Sequence, residues 1–401
     1  MRRTSAAQPS QIRRILGMLA ATLLLVSTVG CGVVAEEKPI PTASASETTE
    51  SPRSATIVLS GDLLWHPSLY RGAEQDAANA GDQGYDFAPL FEDVKPLIQE
   101  ADLAICHEEV PFAPPGEEPS GYPAFGAPDA VAEGVSAVGW DMCTTASNHS
   151  LDRGMEGLRH TVESFEAAGV DVVGTYTGAA DAKTPYIFTT EEGVKVSVVI
   201  GTYGLNGYTT PPGEEYAVDL LDVPAMISKA EAAKEDGADI VLAAVHAGDE
   251  YETMPNQQQI DAATALADSP AIDMIYGHHV HVVQPWDRIN GKLVIYGLGN
   301  MVAQHMTDEP RGYEGVTAEI RFTEDEDGSF SLDQAAYYPT LVTRSGLLSE
   351  DGAPPARLLQ VNKALENGHY IADADQERLE LARSRTAEAV NALQITDIIE
   401  K

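Results

Sequence analysis

Cysteine is scarce in this chain, three residues in 401, too few for a disulfide scaffold. Apart from Cys31, Cys106 and Cys143 each close an apolar run, and the plain expectation is two buried thiols, with a single bridge as the alternative outside a cell. Basic side chains are few as well: 25 Lys and Arg face 62 Asp and Glu, for a formal charge of −37. Such a surface repels nucleic acid and anionic lipid headgroups, so neither is an expected partner of the general surface. Long apolar runs are missing with one exception, Ile15 to Val29, and about fifteen residues is short for a membrane span. Beyond residue 54 there is no further linker and no internal repeat, which leaves one large α/β domain, with or without a small appendage.

The exceptional run follows Arg2, Arg3, Arg13 and Arg14 and ends at Gly30-Cys31. That order predicts a secretory signal over 1–31. Cys31 stands where a bacterial lipoprotein carries its lipid, although Thr28 occupies the place three residues earlier where Leu is usual. Residues 32–54, rich in Ser, Thr, Ala, Glu and Pro, cannot bury enough to order themselves and read as a tether. The expectation is export to the outer face of the cell membrane with attachment through Cys31. A folded domain over 55–345 and a C-terminal helical extension over 346–401 complete the organisation.

Within the domain, short apolar runs alternate with amphipathic stretches. Strands are predicted near residues 56–60, 103–106, 141–145, 170–173, 194–200, 240–246, 272–276 and 293–296. Helices are predicted over 88–99, 155–168, 223–236 and 257–267, and again over 357–366 and 376–393. Nearly every strand runs into a polar group. The first reaches Asp62 and then His66; the second reaches His107, Glu108 and Glu109; the third reaches Asn148, His149 and Asp152. Later ones reach His246 with Glu250 close behind, and Asn300. Open α/β sheets collect ligands at strand carboxyl ends, so these termini are expected to converge on one cleft.

Gly277-His278-His279-Val280-His281 is the densest of these termini. Neutral imidazole suits zinc, iron, copper and nickel, and His279 and His281 sit two apart at a strand end. A catalytic metal needs at least three protein ligands and an open position, so the rest of the set must come from the other termini.

The segments GDLLWHPS, ADLAICHEEVPF, TTASNHSLDRG, VHAGDEYETMPNQQQ, YGHHVHVVQPW and VIYGLGNMV resemble, in order, the motifs of the CapA-like poly-γ-glutamate capsule-biosynthesis proteins. That family is related to the calcineurin-like metallophosphoesterases, so the resemblance implies an α/β fold, a four-layered αββα sandwich with one or two divalent ions, manganese, zinc or iron, at the strand ends. Carried over by motif, Asp62, Glu109, Asn148, His246, His279 and His281 correspond to metal ligands. His149 corresponds to an acid or substrate-oxygen donor, with Asp152 either holding it or capping the helix that follows. His66, His107, Glu250, His278 and Asn300 are assigned to substrate contact. The first motif lacks the usual Asp-x-His, and His107-Glu108-Glu109-Val110-Pro111 stands where Asn-Leu-Glu-x-Pro is common, so one of the two metal positions is expected to be weak, reshaped or empty.

Two classes of function follow from the resemblance. One is a metal-dependent hydrolase of a phosphoester or an anionic envelope polymer. The other is a non-catalytic accessory of capsule assembly, working beside capsule-synthesis membrane proteins. A third reading, a glycosidase using Glu109 with Asp249 or Glu250, needs a carboxylate spacing that sequence does not give.

Overall fold

Alternation along each strand sets the layering of this computed structural model, which describes residues 51–305, 309–344 and 354–401. β1 (Ser54–Leu63) sends Ile57 and Leu59 into one apolar cluster and Val58 into another; β2 (Leu103–Glu108) does the same with Leu103 and Ile105 against Ala104 and Cys106. β3 (Met142–Thr144) and β4 (Asp171–Val173) continue the sheet in parallel. β5 (Phe188–Thr189), β6 (Lys195–Thr202), β7 (Ile240–His246), β8 (Met274–His278), β9 (Trp286–Ile289) and β10 (Lys292–Ile295) make a second sheet, in the order β5-β6-β7-β8-β10-β9. There Val196, Val198 and Ile200 share the cluster of Ile57 and Leu59, whereas Val199, Val241 and Ala243 face outward. Residues two apart share a face of a strand, so the shared cluster is the filling between two sheets.

The helices close the outer faces. α1 (Pro67–Ala80) and α3 (Ala130–Val138) cover the first sheet, with α2 (Lys95–Gln99) beside them. α4 (Gly154–Ala168) splits its buried side chains, Leu158 and Val162 toward the middle and Phe165 toward the outer cluster. α5 (Val223–Glu235) and α6 (Gln257–Asp268) cover the second sheet through Met226, Ala230, Ala263 and Leu266. The result is the four-layered αββα sandwich expected from the sequence.

The first sheet is finished by β11 (Asn300–Val302), β12 (Glu314–Glu324), β13 (Phe330–Val342), β14 (Leu358–Gln360) and β15 (Ile398–Glu400), giving the path β14-β13-β12-β1-β2-β3-β4 with β11 on β1 and β15 on β13. The stretch expected to be purely helical after residue 345 is therefore part strand. α7 (Val361–Asn367) and α8 (Gln376–Val390) are present, but residues 358–360 pair with β13 instead of opening a helix. Val361, Ala364, Leu379 and Ala382 are buried, so the tail is docked.

Other differences are local. The single helix expected over 88–99 is a 3-10 turn, Ala88–Phe91, followed by α2, each with a proline in its first turn where the missing N–H costs no hydrogen bond. α1 and α3 were not expected as helices. Cys106 and Cys143 are in register on β2 and β3, with Cα atoms 4.4 Å apart, and form a disulfide in place of the two separate thiols expected. The signal segment, Cys31 and the tether up to residue 50 lie outside the described residues.

Candidate metal centre

Strand register brings the polar termini level with one another. Asp62 pairs with His107 and His107 with Thr144 across the first sheet; Thr202 pairs with His246 and His246 with His278 across the second. The loop after β8 then bends sharply, with His279 at φ 88° and His281 at φ 59°, a left-handed region that non-glycine residues seldom occupy. That bend turns successive imidazoles back toward the first sheet. All but two of the ten histidines, His160 and His369, belong to the resulting connected cluster.

The closest contacts cross between the sheets. Asp62 Oδ1 meets His278 Nδ1 at 2.7 Å, while Asp62 Oδ2 accepts from the backbone N–H of His279 at 3.2 Å and lies 3.3 Å from His281 Nδ1. Glu109 Oε1 is 3.6 Å from His281 Nε2 and 4.0 Å from His246 Nε2. Asp62, His107 and His278 offer ligand atoms within 4.8 Å of one another, and so do Glu109, His279 and His281. Asn148 joins through its amide oxygen, 2.8 Å from His246 Nε2.

Two proton placements are open to the relay through the buried imidazoles. Thr144 Oγ1 lies 2.9 Å from His107 Nδ1 and 3.3 Å from Cys106 O; when its hydrogen goes to the carbonyl, its oxygen accepts from His107 Nδ1. His107 Nε2 is then bare and accepts from His246 Nδ1, also at 2.9 Å. His246 Nε2 is left with a lone pair facing Asn148 Oδ1, whose amide N–H₂ is turned to Asn206 Oδ1 at 3.2 Å. That placement suits a cation held between His246 Nε2 and Asn148 Oδ1; without one, Thr144 donates to His107 Nδ1, each proton moves one place along, and His246 Nε2–H donates to Asn148 Oδ1. Burial, with His279 and His107 adjacent, holds the His246 pKa well below that of free imidazole, so the ring is neutral in either placement.

His281 and Glu109 also face each other across the cleft, here as an ion pair in the absence of metal. Asn300 Nδ2 donates to Gly312 O at 2.8 Å, which leaves Asn300 Oδ1 to accept from His281 Nδ1 at 2.9 Å and aims His281 Nε2 at Glu109. Burial alone would lower the His281 pKa, but the Glu109 and Asp62 carboxylates push it up to about 10. Burial raises the Glu109 carboxyl well above the carboxylate range, Asp62 and Glu250 adding to it against His281. Asp62 goes the other way: burial would raise it, yet His278 and His281 hold it well below its ordinary value. Neither Glu109 oxygen has a hydrogen-bond partner, nor do His278 Nε2 and His279 Nδ1, although all are buried. Orphaned buried acceptors of this kind fit divalent cations that take nitrogen and oxygen ligands.

The expected residues fall into distinct places. Asp62, Glu109, Asn148, His246, His279 and His281 come together. His107 and His278, expected to meet substrate, are instead sealed inside the cluster at 0% and 1% exposure, their rings stacked with centroids 4.0 Å apart. Asn300 is likewise buried and orients His281. His66 is partly buried against Phe125 and His305, with Nδ1 3.0 Å from Leu64 O. Glu250 is exposed, near enough for its charge to act on Glu109, and Asp249 is exposed beside it. Asp152 does not cap α4; its Oδ2 accepts from His149 Nδ1 at 2.7 Å and from the Phe125 N–H at 2.9 Å. Thr144, Asn206 and His305 were missed. Only His305 carried a signal, as a further histidine just after the Asn300 terminus.

The relay gives a prediction. His107→Leu removes the acceptor that fixes the His246 tautomer, and a chelator-buffered zinc titration is expected to show affinity reduced about 10- to 100-fold with the fold retained. An unchanged affinity would mean that His246 is oriented without His107.

A sequence model of the family "Bacterial capsule synthesis protein PGA_cap" matches residues 56–305. The PGA biosynthesis protein CapA of Bacillus subtilis (strain 168) is 34% identical over 162 residues, covering 39% of this chain and 41% of that one. The capsule biosynthesis protein CapA of Bacillus anthracis is 28% identical over 222 residues, 53% of each chain. The chain thus spans about half the length of the curated relatives it matches. Among solved structures, the calcineurin-like phosphoesterase YfkN from Bacillus subtilis aligns at 18% identity and a TM-score of 0.43, covering 83% of this chain and 99% of that one.

Proposed function

The chain belongs to the bacterial capsule synthesis protein family, and from that premise we propose that its histidine and carboxylate cluster is a divalent-metal hydrolase site. The substrate class is a phosphoester or another anionic component of an envelope polymer. The observation that carries this reading is the set of buried atoms without a hydrogen-bond partner, both Glu109 oxygens, His278 Nε2 and His279 Nδ1, within two clusters whose ligand atoms lie within 4.8 Å of one another. Asp62, Glu109, Asn148, His246, His279 and His281 hold the metal, one or two ions; bound there, it supplies an acidified water and neutralises charge on the attacked centre.

The chain's own groups do the rest. His149, kept in place by Asp152 on Nδ1, has Nε2 left for the leaving oxygen; as the imidazolium it gives the Nε2 proton to that oxygen and becomes neutral with its remaining proton on Nδ1. Asn206 Oδ1 accepts from Asn148 Nδ2 at 3.2 Å and so sits between the ligand set and His149, whose Nδ1 proton goes to Asp152. Tyr203 stands over His279 with centroids 4.6 Å apart and remains 42% exposed, so it borders the path a substrate takes. The general surface repels an anionic substrate, and the cations reverse that field locally.

The same reading places the protein outside the cytoplasm, held by a lipid on Cys31, with capsule-synthesis membrane proteins as neighbours. The bridge between Cys106 and Cys143 supports an oxidising compartment. Cys31→Ala is expected to move the protein from the membrane fraction to the soluble one.

Metal analysis of the purified protein, followed by a phosphoester panel with and without manganese or zinc, tests the proposal. Stoichiometric metal with turnover is expected. A folded, metal-free protein without turnover after loading would favour the non-catalytic accessory role; one relative, of Mycobacterium tuberculosis, bears the name probable polyglutamine synthesis accessory protein Rv0574c.

A further inference from the structure

The sandwich is open at one edge, away from the histidine cluster. β4 ends the first sheet, and β5, a two-residue strand, ends the second. Between β4 and β6, flanked by α4 and α5 and bordered by the segment after Thr175, lies a cavity of about 670 Å³. Space of that size is in the range of small-molecule sites, well beyond the voids left by imperfect packing. None of the metal-centre residues lines it.

Three features of its wall restrict what it takes. Val162, Val172, Ile187 and Val198 make much of the lining apolar, so an occupant gains chiefly by leaving water. The central charges cancel: Lys229 Nζ sits 2.6 and 2.8 Å from the two Asp219 oxygens, and Tyr176 donates to Asp219 Oδ2 at 2.8 Å. The remaining charged groups, Glu166, Asp181 and Lys183, sum to a negative wall on a chain already at −37, which disfavours an anion.

Hydrogen bonding gives the third restriction. Thr145 and Thr175 share one hydroxyl hydrogen at 2.7 Å, and whichever of them donates it, the Thr175 oxygen keeps a lone pair. Ser197 lines the cavity at 1% exposure, and its hydroxyl has no partner at all. An unpaired buried hydroxyl is a standing cost that a ligand hydroxyl or carbonyl can offset once the side chain turns toward the cavity.

We propose that this cavity binds an uncharged, largely apolar small molecule bearing a hydroxyl or carbonyl. It is separate in place and in charge class from the metal centre, which suits anions.

Nile red, an uncharged dye with one carbonyl, tests this on the full chain by fluorescence titration. Saturable binding of about one dye per chain is expected, with affinity at least about tenfold above that for anionic anilinonaphthalene sulfonate. Ala232→Phe fills the cavity from α5, and Thr177→Trp crowds it from an exposed loop position that does not threaten folding; each is expected to weaken the dye at least about tenfold. Ser197→Ala is expected to weaken it about fivefold while leaving thermal stability unchanged or higher, because it removes an unpaired group. Tighter binding of the anionic dye, or full affinity in Thr177→Trp, would overturn the proposal. Full affinity in Ser197→Ala would remove the hydrogen-bonding part of the assigned ligand class.

Discussion

His246→Ala is expected to abolish stoichiometric divalent metal binding and to lower metal-dependent phosphoester turnover by about a thousandfold, the scale of several kcal/mol of charge stabilisation. The imidazole is wholly buried, has one nitrogen engaged by His107 and presents the other to Asn148 and Glu109. Nothing else described reaches both of those groups with a nitrogen lone pair. The stability effect separates the metal reading from a structural one. Without metal, the substitution removes a buried ring and its hydrogen bonds to His107 and Asn148, a loss the same with or without zinc in the buffer. With metal, wild type gains RT ln(1 + [L]/Kd), about 2.7 kcal/mol at one hundred times Kd, and the variant gains little. Thermal melts with and without zinc read this directly. An equal zinc-induced rise in both proteins, or metal retained at full stoichiometry, would show that His246 is not a ligand.

The parts of the site legible from sequence are those governed by strand ends. Asp62, His246 and the Gly277–His281 run each follow an apolar stretch, and the parallel register of β1 with β2 and β7 with β8 converts those linear positions into one level. What could not be read was which way each side chain turns once there. His107 and Glu109 are two residues apart, yet the His107 ring joins Thr144 and His246, while the Glu109 oxygens stay without a hydrogen-bond partner among the orphaned acceptors of the cluster. Thr144 carries no sequence mark of function, and its role arises from cross-strand register alone. Asp152 was open between cap and His149 partner because both lie within its reach along the chain; the Phe125 N–H, 27 residues away, helps fix its position. The C-terminal segment misled for a different reason. Residues 357–366 have helical composition, but the free edge of β13 offers backbone partners to residues 358–360, and that tertiary demand outweighs local propensity.

Gly277→Ala is expected to cost about 3 kcal/mol or more and to disturb the metal centre at the same time. Gly277 is the penultimate residue of β8, next to His278, and a Cβ there would run into the carbonyl oxygen of Tyr296 and lie 2.8 Å from its carbonyl carbon. Those are backbone atoms held by the pairing of β8 with β10, so no side-chain rotation relieves the clash, and the strands themselves must separate. Separation moves His278 away from Asp62, where the present contact is 2.7 Å, and it shifts the bend that holds His279 and His281 at positive φ. Stability and metal affinity should therefore fall together, in contrast to His246→Ala, where metal binding is lost and the metal-free fold persists. Urea denaturation and metal titration on the same preparation check this. A Gly277→Ala protein with wild-type midpoint and wild-type metal content would mean that the β8 terminus yields more readily than its contacts imply, and that the histidine bend is positioned by the loop alone.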